Sequence, residues 1–105
     1  MDLSNYSDFE TVLSRAKHYY GENVKLFQST RKTKKYMIFD PYNNKFIHFG
    51  QMGYLDYTKY IQLYNLETAN KHRYRYLRRA LKIKGNWRDN PYSPNYLSLL
   101  LLWDF

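Results

Sequence analysis

The sequence predicts an α+β domain, a small antiparallel β-sheet of two or three strands packed by an N-terminal helix, a long basic helix and a short C-terminal helix. Three observations carry this expectation. Two aromatic and β-branched runs, YMIFD and KFIHFG, flank Pro41-Tyr42-Asn43-Asn44, a composition suited to a turn. Apolar residues on either side of that pair recur at helical spacing. The chain is 105 residues long, enough for one modest core and too short for two, so residues 1–105 are read as a single domain.

Each element follows from its residues. At Ser7 the sequence SDFE fits a capping box, with Ser7 accepting from first-turn amides and Glu10 reaching back. Phe9, Val12, Leu13 and Ala16 then keep helical spacing, and Gly21 supplies a left-handed stop. Val24 to Gln28 reads as a short strand, and RKTKK at 31–35 as a basic run in a loop or strand edge. The hairpin has apolar residues on both faces, Tyr36 and Ile38 on one, Met37 and Phe39 on the other, so helices must cover at least one of them. Gly50 and Gly53 lead into YLDYTKYIQLYN, read as mostly irregular. A long helix is expected from Leu66 to Ile83, stopped by Gly85. After the irregular NWRDNPYSP, Ser93 caps and Pro94 opens a final short helix through Trp103.

On a wheel of about 100° per residue, the long helix separates into two halves. Leu66, Ala69, Tyr74, Tyr76, Leu77, Ala80, Leu81 and Ile83 form the apolar one. Lys71, Arg75, Arg78, Arg79 and Lys82 gather opposite, so the local Arg-Tyr alternation in HRYRYLRR belongs to a helix and not to a strand. Arg73 falls inside the apolar arc. A charge there is costly unless paired, which predicts a carboxylate partner, Asp56 first and Asp104 second.

Seventeen Lys and Arg against nine Asp and Glu give a net charge of +8, so acidic partners are expected first. Nucleic acid leads, with anionic membrane and acidic protein surfaces fitting the same charge. From Lys59 to Arg88 there are nine Lys and Arg and one acid, Glu67, so the stripe lacks the mixed signs of an ordinary solvated helix face. The plain alternative is a wet face whose side-chain stems cover the core. With no cysteine, disulfides and thiolate metal sites are excluded. No apolar run nears the roughly eighteen residues of a membrane span, and MDLSNYSDFE is no signal peptide, so the chain reads as soluble, intracellular and not secreted. Thirteen Tyr, six Phe and two Trp can extend a thin core to the surface or stack on bases.

Catalysis is the least favoured expectation: Asp56 and Asp89 could flank a nuclease metal, but ion pairing for Asp56 and turn formation for Asp89 compete with that role. His18, His48 and His72 have no metal-ligand spacing, and no carboxylates stand at a metal-binding interval. His48 reads as a core or sheet-face residue, Asp89 as a turn former. Neither a glycine-rich phosphate loop nor a nucleophile elbow is present. No cofactor, metal site or catalytic residue is expected.

The series KKYMIFD, KFIHFG, GYLDYT, RYRYLRRALKIKGNW and NPYSPNYLSLLLLW resembles a family of small basic proteins encoded by large nucleocytoplasmic DNA viruses. The shared pattern is a hairpin ending in HFG, the aspartate of DYT, an Arg-rich helix, and YSP leading to LLW; it covers Lys34 to Trp103. The family has no assigned activity. The resemblance implies a viral protein in a virion or an intracellular virus factory, with His48, Gly50, Asp56, Arg73, Arg78 and Trp103 at pattern positions. It carries no catalytic residue across.

The expected function is therefore noncatalytic binding of nucleic acid, DNA before RNA, as a viral accessory or packaging protein. Lys71, Arg75, Arg78, Arg79 and Lys82 are expected to neutralise phosphates, assisted by Lys32, Lys34 and Lys35. The alternative is a minor capsid or scaffold component docking on acidic surfaces of viral capsid proteins, supported by LLLLWDF, whose four leucines exceed what one face of a short helix buries.

Overall fold

The computed structural model describes residues 2–105. Its elements are α1 (Phe9–Tyr20), β1 (Leu26–Gln28), β2 (Lys34–Asp40), β3 (Lys45–Gln51), α2 (Tyr57–Leu63), α3 (Leu66–Ala80) and α4 (Pro94–Leu97), which continues as a π-helical turn over Ser98–Leu102. The α+β class is the one the sequence predicts, with a sheet of three strands in the order β1-β2-β3. Both pairings are antiparallel.

Register explains which hairpin face is covered. Leu26, Ile38 and Ile47 lie side by side across the three strands, and Tyr36 faces Phe49. This set is buried apart from Ile47, which is partly exposed. Phe27 and Met37 lie opposite each other on the other face, where Phe39 and Phe46 also pair, at 5.4 Å between ring centroids. The turn is shaped by Asp40, whose carboxylate accepts from the amides of Tyr42 and Asn43 and from the Asn43 side chain, while Asn44 takes a left-handed φ of 52°.

The inner face is covered by Val12 and Ala16 of α1 and by Leu97, Leu101, Leu102 and Trp103. The four-leucine run is thus largely core: Leu99, Leu101 and Leu102 are buried, and Leu100 is partly buried against them. A short helix can bury leucines on several sides when it lies between other elements, and this one packs against both α1 and β3. The expectation that the four leucines of LLLLWDF exceed what this helix buries is corrected, while Asp104 and Phe105 at the end of the segment are exposed.

Three local expectations also change. The N-cap of α1 is Asp8, so SDFE is no capping box; Ser7 is buried and accepts a 2.7 Å hydrogen bond from the Tyr36 hydroxyl. The segment read as irregular contains α2, capped by Asp56, whose side chain accepts from the Lys59 amide and the Thr58 hydroxyl. Finally, α3 ends at Ala80 and not at Ile83, with Leu81 as its C-cap.

Gly50 is required by geometry. Its φ is +77°, and an added Cβ would stand 2.8 Å from Leu102 Cδ1 and 3.3 Å from Lys35 Cβ. Gly50→Ala is expected to cost about 2 kcal/mol through left-handed strain and overpacking. Urea denaturation checks this, and an unshifted midpoint would contradict it.

Candidate nucleic-acid interface

Asn65 caps α3 by accepting from the Thr68 amide at 2.7 Å. Glu67 in the first turn and Arg78 and Arg79 in the last complement the helix dipole. The inward stripe is narrow: Ala69 and Ala80 are buried, with His72, Arg73, Tyr76 and Leu77 half-buried between them. His72 stacks on Tyr60 of α2 at 4.0 Å, and Tyr76 on Trp103 at 4.4 Å. These two ring pairs fix the rotation of the helix about its axis.

That rotation carries Lys71, Arg75, Arg78 and Arg79 outward, and Lys82 follows in the turn beyond the helix. Lys71, Arg75, Arg78, Arg79 and Lys82 are all exposed. Lys71 lies 3.7 Å from Glu67 one turn earlier, an exposed pair of little strength. Among the described residues Arg75, Arg78, Arg79 and Lys82 meet no carboxylate, and the four line one shallow depression. Tyr74, expected on the core side, is instead 62% exposed and lies under the Arg78 guanidinium at 5.6 Å. Leu66 is also exposed, because the inward stripe covers less of the wheel than its apolar residues do, and Ile83 is exposed beyond the end of the helix.

Arg73 points inward as the wheel predicts, but the carboxylate expectation is corrected. Its Nε donates to the Trp103 carbonyl at 2.9 Å and an Nη to the Asp104 carbonyl at 2.8 Å, with the guanidinium 5.7 Å from the Tyr57 ring. Backbone acceptors at the exit of the C-terminal helix satisfy it. Asp56 belongs to Lys35, at 3.3 Å between Nζ and Oδ2.

Lys35 is therefore also corrected as a phosphate ligand. It is 2% exposed, and its ammonium also donates to the Tyr6 carbonyl at 3.4 Å. Burial pushes its pKa below the ordinary lysine value, and the neighbouring Asp56 charge partly opposes that. Of the other two predicted lysines, Lys32 is exposed in the turn before β2 and Lys34 is half-exposed at the strand's start.

Lys34 comes together with Arg75 and Arg79 in a cleft of about 530 Å³ between the open end of the β2–β3 pair, α3 and the C-terminal helix. No carboxylate lines it among the described residues, and Tyr54 and His72 stand on its walls. The sequence reading missed this cleft, because it is assembled from segments far apart in the chain and no local spacing joins them. The absence of acids from Lys59 to Arg88 was the one available signal.

His48 accords with a sheet position, its Nδ1 lying 2.6 Å from the Ser29 hydroxyl. Burial, then the Arg31 and Lys34 charges, lower its pKa. Among the described residues no group of three or more His, Cys, Asp or Glu is arranged to hold a metal ion, and no helix is long and apolar enough to cross a membrane.

Neither a curated protein nor a solved structure matches the chain. Over residues 24–59, which hold the whole sheet, Lys35, Gly50 and Asp56 but none of α3, the chain is similar to a family described as a family of unknown function (DUF5754).

Proposed function

We propose that this protein binds nucleic acid noncatalytically through the cationic face of α3, as an accessory or packaging component of a large DNA virus. The observation that carries the reading is the group Arg75, Arg78 and Arg79 on α3 with Lys82 in the turn just beyond its end, all exposed and, among the described residues, without a carboxylate partner. Unpaired cations in a row release condensed counterions when they meet a phosphate backbone, and that release supplies sequence-independent affinity. The viral setting rests on the hairpin, DYT, Arg-rich helix and YSP–LLW pattern. Docking on an acidic capsid surface uses the same cations but no longer has the four leucines to support it, since three are buried and Leu100 packs against the core.

A salt titration tests the proposal. Five contacts on duplex DNA give an expected slope of log K against log salt of about −4 to −5. A slope near zero, or binding restricted to acidic proteins, would refute it.

A further inference from the structure

We infer that the cleft beside α3 receives one unpaired nucleotide of a single strand, with its phosphates at Arg75, Arg79 and Lys34 and its base against Tyr54. The inference rests on the polyanion reading of α3 and narrows it to a class of nucleic acid.

Charge is the first ground. Arg75, Arg79 and Lys34 converge on the cleft from two elements distant in sequence, and no carboxylate lines it among the described residues. Behind the cleft, the Asp56 carboxylate is engaged by Lys35, which lines it. Lys35 and Asp56 thus largely offset each other, and the net charge facing the cleft belongs to the three outer cations.

The rings are the second ground. Tyr60 and Tyr76 also line the cleft, but their faces are occupied by His72 and Trp103. Tyr54 is different: it follows Gly53, whose φ of 96° turns the chain, and it remains 66% exposed at the cleft. An exposed ring beside converging cations is the combination by which proteins hold unpaired bases, since every base has a π face and every nucleotide a phosphate.

Shape is the third. About 530 Å³ lies in the range of small-molecule pockets and admits a nucleotide but not a base-paired duplex. Arg75 and Arg79 belong both to the cleft and to the depression that Arg78 and Lys82 complete. A strand seated in the cleft can therefore continue along the outer face of α3. A duplex meets that outer face alone.

The test uses the full chain with a fluorescent oligothymidylate, a mixed-sequence duplex of equal length, and thymidine 5′-monophosphate. Tyr54→Ala is expected to weaken oligothymidylate binding by about 5- to 100-fold and to leave duplex binding within about twofold, while Tyr54→Phe restores the single-strand affinity. In amide NMR spectra the oligothymidylate should shift Gly50, Gln51 and Tyr54. Unchanged single-strand affinity in Tyr54→Ala, or an equal loss on both probes, overturns the inference and leaves the α3 reading standing if duplex binding remains salt-sensitive. Shifts produced by the monophosphate but not by the strand also overturn it, in favour of a free-nucleotide pocket. Failure of both polymers to bind removes both readings.

Discussion

Asp56→Ala is expected to lower folding stability by about 3–5 kcal/mol, the range for breaking a buried ion pair from one side. The carboxylate is 1% exposed and serves several partners at once. Its Oδ2 faces the Lys35 ammonium at 3.3 Å, while Oδ1 accepts from the Thr58 hydroxyl at 2.5 Å and from the Lys59 amide at 3.3 Å to cap α2. Removing it leaves the ammonium with the Tyr6 carbonyl at 3.4 Å as its remaining hydrogen-bond acceptor. The cost comes chiefly from the stranded charge. A double replacement, Lys35→Met with Asp56→Ala, should therefore recover much of the loss and leave a deficit of about 1 kcal/mol for the missing cap. Urea unfolding of the two variants checks this; equal losses in both would show that the cap, and not the charge, dominates.

Linkage gives the same variant a pH signature. Burial holds the Lys35 pKa below the ordinary lysine value of 10.5, so on the acid side of that value the unfolded chain binds more protons than the folded one. Stability then rises with pH toward 10.5. Without Asp56 the opposing attraction is gone, and the dependence should steepen.

Reversing Arg75, Arg78 and Arg79 together to Glu is expected to abolish most nucleic-acid affinity. Three lost phosphate contacts flatten the log–log salt slope by about 2.7, which at 0.1 M salt amounts to between two and three decades in affinity relative to a 1 M reference. Repulsion by the three new carboxylates adds to the loss. These positions are exposed, so the fold should survive, but Arg78 and Arg79 end the helix, where anions oppose its dipole by about 0.3–1 kcal/mol each. The matching Gln variant separates the effects: it should lose the phosphate contacts with little change in thermal midpoint. Affinity that survives the triple Glu change would place the binding surface elsewhere.

The outward cations were legible in the sequence because helical periodicity alone sorts them, and the structure keeps all five of Lys71, Arg75, Arg78, Arg79 and Lys82 exposed. Arg73 was legible as a misfit but its partner was not, since carbonyls freed at the end of another helix leave no mark in the residue types. Tyr74 shows the limit of a wheel. Tyrosine is compatible with either side of a helix boundary, and only the stacks of His72 on Tyr60 and Tyr76 on Trp103 decide the rotation. In the 31–35 run nothing local marks which lysine turns inward. Lys35 breaks the alternation of β2, being buried directly beside buried Tyr36, because a carboxylate delivered from α2 meets it there. The helix α2 itself has only seven residues, too few for its periodicity to stand out from YLDYTKYIQLYN.

The junction at Lys35 has a dynamic consequence. Tyr6 offers its carbonyl to the Lys35 ammonium and to the Asp56 amide, and two residues on, the Asp8 amide donates to the Thr58 hydroxyl. The entrances to α1 and α2 and one strand of the sheet are thereby tied at a single buried point. Detaching the first helix would expose the ammonium and its counterion together, so these segments are expected to open to solvent as one cooperative unit, with the turn at Leu3–Asn5 exchanging as slowly as the sheet instead of fraying ahead of it.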